Sequence, residues 1–234
     1  MASLLIANGM AEESPVNWRG YQDEADDRPG EAEFIFVRGM YRNYQNDGYG
    51  YFRGPEGGWW KTDYDAAERN FLRGLKRYTT MDTNSFSYKT VSLTDSELFE
   101  HTFLYINMKR IPLRPGNGPN FKPEEAKALQ EFMLRGGFVM LDDFWGPDHW
   151  SDFLVELSKI FPARKLHKLG PSHPIFHSFF DIDQIAQVPG RAVTWDYGSG
   201  FSINDPEYPP AVYAILDDDE RIMLVANFNT DLGD

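Results

Sequence analysis

A chain of 234 residues, 41 % hydrophobic and 15 % aromatic, is long enough to bury a full core, and no apolar run in it reaches the ~20 residues of a membrane-spanning helix. There is no cysteine, which excludes disulfides, thiolate metal sites and a thiol nucleophile. The formal charge of −13 is concentrated at the ends: residues 1–33 carry eight acids and two bases, residues 214–234 six acids and one base, and the stretch between is near neutral, with no basic stripe for a nucleic acid.

Residues 11–32 are polar, acidic and broken by Pro15, Pro29 and Gly30, and residues 1–32 are expected to form an acidic N-terminal arm, flexible or loosely docked. The apolar segment Leu4-Leu5-Ile6 is too short for a complete signal-peptide core. It fits either the tail of a trimmed signal peptide or an ordinary terminus. Residues 33–234 are expected to form one α/β domain.

Phe34 to Val37 is a continuous apolar run, the pattern of a strand buried on both faces of a parallel sheet. Residues 39–61 form a long loop rich in glycine and in rings, among them Tyr41, Tyr44, Tyr49, Trp59 and Trp60. A loop of this length in a compact domain is usually either functional or disordered, and the rings argue against disorder. Its rings predict an ordered segment that buries most of them, either as a cover over the core or as a wall gripping a ligand.

A helix follows, capped by Thr62 or Asp63, with Tyr64, Ala67, Phe71, Leu75 and Tyr78 at helical spacing. Residues 88–92 suit a second strand, Ser96 to His101 one helical turn, and Phe103 to Ile106 another buried strand. The next helix opens at Pro123 and stops at Gly136-Gly137 before the strand Phe138 to Leu141. Trp150, Phe153, Leu157 and Ile160 mark a third helix, and Val212–Leu216 with Ile222–Ala226 form a hairpin around an acidic turn. The alternation predicts an α/β fold: a doubly wound, mostly parallel sheet with helices on both faces and a C-terminal β-hairpin.

In open α/β sheets, ligands bind outside the carboxyl ends of the strands. That rule selects Arg38, Asn107, Asp142 and Asp143. Arg38 offers a planar fork to a carboxylate or phosphate, or an ion pair to Asp142 or Asp143. The adjacent acids fit a metal ligand or base as well as simple loop anchors. His173 fits a turn before Pro174, and the five histidines show no metal-ligand spacing. There is no P-loop and no Gly-x-Ser-x-Gly elbow. The candidate ligand-binding set is Arg38, Tyr41, Trp60, Asp63, Asn107, Asp142, Asp143 and His173. No catalytic residue, metal ligand or cofactor is assigned.

The ordered series Phe36-Val37-Arg38, Trp60-Lys61-Thr62-Asp63, Arg135-Gly136-Gly137-Phe138, Asp142-Asp143, Phe161-Pro162, His173-Pro174-Ile175-Phe176 and Asp231-Leu232-Gly233-Asp234 resembles the DUF4159 family over roughly residues 33–234. The resemblance implies a flavodoxin-like, class I glutamine amidotransferase-like fold. It also implies a bacterial, envelope-associated setting, periplasmic or at the membrane, near MoxR-type ATPases and von Willebrand A-domain proteins. Many relatives continue the strand at Ile106 into a Gly-His pair where this chain has Asn107-Met108, so no role of that histidine transfers. Without a cysteine, glutaminase chemistry is excluded. The chain ends inside one of these motifs, as expected of a truncated or processed product. The sequence therefore points first to a non-catalytic ligand- or protein-binding domain, and second to a hydrolase or metal-assisted enzyme using Asp142 or Asp143 with His173 as a partner.

Overall fold

The computed structural model describes residues 32–41, 59–109, 119–190 and 206–233. Nearly all of the expected acidic arm, and residues 42–58 of the aromatic loop, lie outside the described residues. Seven strands form one sheet: β1 (Phe36–Met40), β2 (Tyr88–Ser92), β3 (Phe103–Asn107), β4 (Phe138–Phe144), β5 (Leu166–Leu169), β6 (Ala211–Leu216) and β7 (Ile222–Phe228). Their order is β2-β1-β3-β4-β7-β6-β5. Neighbours from β2 through to β7 pair in parallel, and β6 then pairs antiparallel with both β7 and β5. The runs expected at 34–37, 103–106, 138–141 and 222–226 thus share one sheet, the first three parallel, although β1 takes only Phe36 and Val37 of the first run and continues to Met40, and the C-terminal hairpin is β6–β7.

Among the described residues three α-helices cover the sheet: α1 (Ala66–Tyr78), α2 (Pro123–Leu134) and α3 (Gly146–Ile160). The strands are apolar on both sides because both sides are covered. On one side Phe36, Phe103 and Tyr105 pack with Leu72 and Phe71 of α1. On the other, Val37, Leu104, Ile106, Val139 and Leu141 meet Leu129, Phe132 and Met133 of α2 and Phe153, Leu157 and Ile160 of α3. Alternate residues of each strand feed the two layers, as the two-residue period requires. Gly39 lets this layer close: a Cβ there would lie 2.9 Å from Leu93 and 3.2 Å from Ile106.

Two local expectations need correction. The N-cap of α1 is Asp65, not Thr62 or Asp63; the Thr62 hydroxyl donates to the Trp59 carbonyl, and the Asp63 carbonyl accepts the amide of Ala67. β5 was not anticipated. It is a four-residue edge strand, Leu166-His167-Lys168-Leu169, whose polar centre gives it no apolar run.

The order β2-β1-β3-β4 sets where a ligand could enter. The chain leaves β1 towards β2 on one side and leaves β3 towards β4 on the other, which opens a crevice between the carboxyl ends of β1 and β3.

Candidate functional site

Strand β3 ends at the fully buried Asn107, which ties the crevice together. Its carbonyl accepts the Tyr41 hydroxyl at 2.6 Å, its side-chain oxygen accepts the Lys109 amide at 2.9 Å, and its Nδ2 donates to Asp143 Oδ2 at 3.3 Å. Next to it, β4 loses register with β7 between Leu141 and Phe144, and Asp143 takes a left-handed backbone with φ 59°. Aspartate tolerates that region better than most residues. Asp143 Oδ1 accepts from Trp145 Nε1 at 2.8 Å, and Oδ2 faces Lys109 Nζ at 3.1 Å.

Two more acids arrive from distant parts of the chain. Asp63, also left-handed with φ 60°, sits on the turn before α1. Asp231 follows β7; its amide donates to the Val188 carbonyl at 2.9 Å, and one of its oxygens accepts the Gly233 amide at 3.1 Å. Gly190 makes room for it, since a Cβ there would stand 2.5 Å from Asp231 Oδ2. Asp63, Asp143 and Asp231 each present a carboxylate oxygen within 4.8 Å of the others. Burial alone would lower the pKa of the Lys109 ammonium, but Asp143, Asp63 and Asp231 outweigh it and raise the pKa above the usual 10.5.

Asp142 lies one residue back and is fully buried. Its Oδ2 accepts the Leu232 amide at 2.8 Å and the Tyr105 hydroxyl at 3.1 Å. Burial, reinforced by the neighbouring Asp143 charge, pushes its pKa up to about 7, against the pull of those two donors. Burial likewise raises Asp143, with Lys109, Trp145 and Asn107 opposing. The hydroxyls of Tyr41 and Tyr105 are driven upward by burial too and stay protonated donors.

Arg38 is not the partner of Asp142 or Asp143. Its side chain leaves β1 on the face that carries Phe36, where α1 places Glu68 above it. Arg38 Nε pairs with Glu68, and Nη1 donates to the carbonyls of Trp60 at 2.8 Å and Thr62 at 2.7 Å. The Tyr105 ring lies 4.8 Å from the guanidinium carbon, and the same tyrosine's hydroxyl reaches Asp142. The Arg38 and Glu68 side chains are both 0 % exposed.

The structure therefore brings Asp63, Asn107, Asp142 and Asp143 together, with Tyr41 bonded to Asn107. Trp60 is buried and supplies a carbonyl to Arg38. His173 is drawn into its own turn, where its Nδ1 accepts the Ile175 amide at 3.3 Å. The two acids after the β4 run are both buried. Lys109, Asp231 and Tyr105 were missed. Lys109 stands two residues past the end of β3, and Asp231 lies in a terminal motif that gave no hint of its place in space.

Fold and cluster together define an α/β domain with a mostly parallel sheet and a cluster of carboxylates at the carboxyl ends of its central strands. A family model described as a domain of unknown function, DUF4159, matches residues 49–234, and the chain belongs to that family. No curated protein matches the chain.

Proposed function

We propose that this is a non-catalytic ligand-binding domain, and that its site is the crevice beyond β1, β3 and β4. One observation carries the reading: Asp63, Lys109, Asp143 and Asp231 come from four separate segments to one point, and two of them are held in left-handed backbone. Such backbone costs about 1–3 kcal/mol per residue and tends to collect at binding sites. Asp63 is half-buried and the Lys109 side chain is 18 % exposed, which leaves the cluster an approach from solvent. Three carboxylates around one ammonium favour a ligand that brings hydrogen-bond donors or positive charge.

A second reading, a metal-assisted hydrolase, draws support from the carboxylate spacing. Oxygens within 4.8 Å of one another match those around a hard cation bound at ~2.4 Å. In that case the Lys109 ammonium has to move aside. The strand order β2-β1-β3-β4 supports the flavodoxin-like, glutamine amidotransferase-like arrangement, without the glutaminase nucleophile. The bacterial envelope setting, with a MoxR-type ATPase or von Willebrand A-domain protein as partner, belongs to the same proposal and rests on the family's gene neighbourhood alone.

Thermal melts with Mg²⁺, Ca²⁺, Mn²⁺ or spermidine test the site. The expected result is a saturable rise in Tm with at least one of these probes, lost in Asp143→Asn and kept in the surface variant Glu97→Gln. No rise with any probe, together with an Asp143→Asn variant markedly less stable than wild type, leaves the cluster a structural knot.

A further inference from the structure

Away from the crevice, α1 ends in the exposed residues Lys76, Arg77 and Tyr78. The segment after the short helical turn Pro174–His177 brings two phenylalanines onto that tyrosine. The Phe179 and Phe180 rings lie 5.8 and 5.7 Å from the Tyr78 ring, and 4.6 Å from each other, edge to face. Their contact shields little: Tyr78 is 46 % exposed, Phe179 57 % and Phe180 58 %, with Ile182 beside them in the chain at 43 %. At roughly 150–250 Å² per aromatic side chain, three half-exposed rings present on the order of 300 Å², a size at which a patch on a monomer is commonly an interaction site.

The rim of this patch carries both signs of charge. The Arg77 guanidinium lies 5.4 Å from the Tyr78 ring centre on the α1 side. Asp181 and Asp183 are exposed on the segment that carries the two phenylalanines, with Asp181 held by His177 at 3.0 Å. An anionic membrane would meet Asp181 and Asp183, and a partner of one charge would be repelled by half of the rim. A second copy turned through a two-fold axis at the rings meets neither obstacle, because the basic flank of each copy then lies over the acidic flank of the other.

We propose that Tyr78, Phe179 and Phe180 form the centre of a symmetric dimer contact between two copies of this chain, with Arg77 of each copy facing Asp181 and Asp183 of the other. The patch is small, so the dimer is reversible and weak.

Sedimentation velocity of the full chain, from low to high micromolar concentration, tests this. Wild type should shift reversibly from monomer to dimer, and Phe180→Asp should stay monomeric with an unchanged circular-dichroism spectrum. Arg77→Asp should weaken the dimer by about tenfold or more, and Arg77→Asp combined with Asp181→Arg should restore it. A wild type that is monomeric throughout overturns the proposal, as does a dimer that survives Phe180→Asp or is not restored by the charge swap. So does a monomeric wild type that co-sediments with phosphatidylglycerol vesicles through Phe180.

Discussion

The domain buries charge in two places, and the two are built differently. Beneath α1, Arg38 faces Glu68, and two backbone carbonyls accept from its Nη1; both side chains are fully buried. At the carboxyl ends of β3 and β4, three carboxylates share the Lys109 ammonium, and a fourth acid, Asp142, sits behind them. The first arrangement is one positive charge against one negative, fully buried, although Arg38 Nη2 and Glu68 Oε2 find no hydrogen-bond partner among the described residues. The second is rich in acid and open to solvent along Asp63 and Lys109. A buried pair that balances holds a helix on a sheet; one that does not balance asks for something from outside, whether a proton or a ligand.

The largest effect should come from breaking the balanced pair. Arg38→Ala leaves Glu68 buried without its cation, at a cost of about 3–5 kcal/mol, measured as the urea midpoint against wild type. The Tm response to added cations should be unchanged in whatever fraction stays folded. An Arg38→Ala protein as stable as wild type would show that the two regions are not distinct in kind.

The acid-rich region should respond to pH. The folded Asp142 carboxyl titrates near 7, above its unfolded value near 3.8. Folded protein therefore binds the extra proton between those limits, and stability falls as pH rises from about 4 through 7. Burial and the Asp143 charge raise this group, and the Leu232 amide and Tyr105 hydroxyl oppose them, so these neighbours set the midpoint. In chelator-treated protein, Asp142→Asn should flatten that decline and gain a few kcal/mol over wild type at pH 8. Urea melts across the pH range check it, and an identical pH slope in the two proteins would refute the assignment.

Removing Lys109 should have a smaller effect. Lys109→Met takes the ammonium from three carboxylates and should cost about 1–3 kcal/mol at pH 8, with the loss shrinking at low pH as the acids protonate. A loss that does not depend on pH would place Lys109 outside the cluster's electrostatics. The smallest effect should be at the surface, where Lys89 meets Glu97 at 2.7 Å with both side chains about 40–46 % exposed. Lys89→Ala should change stability by about 0–1 kcal/mol, and a larger value would show that exposure is a poor guide to charge energetics in this protein.

The sheet was legible because its central strands are covered on both sides. Phe34–Val37, Phe103–Ile106 and Phe138–Leu141 are apolar without alternation, and helical spacing fills the gaps between them. β5 was not legible, since a short edge strand with His167 and Lys168 at its centre carries no periodic signal. The strand-end rule found Asn107, Asp142 and Asp143, because the end of a strand can be read along the chain. It could not choose a partner for Arg38. That choice depends on which face of β1 the side chain leaves and on what α1 sets above it, a fact of packing between residues 30 positions apart. Asp231 was hidden for the same reason: only the pairing of β7 with β4 brings it beside Asp143.

That pairing also bears on how the molecule is made. β7 lies between β4 and β6 in the sheet, yet it is the last strand of the seven to be synthesised. Until it emerges, β6 and β5 have no bonded neighbour linking them to the parallel strands, and neither Asp231 nor the Leu232 amide that Asp142 accepts is present. A chain growing from its N-terminus therefore joins the two parts of its sheet and completes its acidic site in the same closing step. A nascent chain that has not yet placed β7 holds neither a finished sheet nor a finished carboxylate cluster.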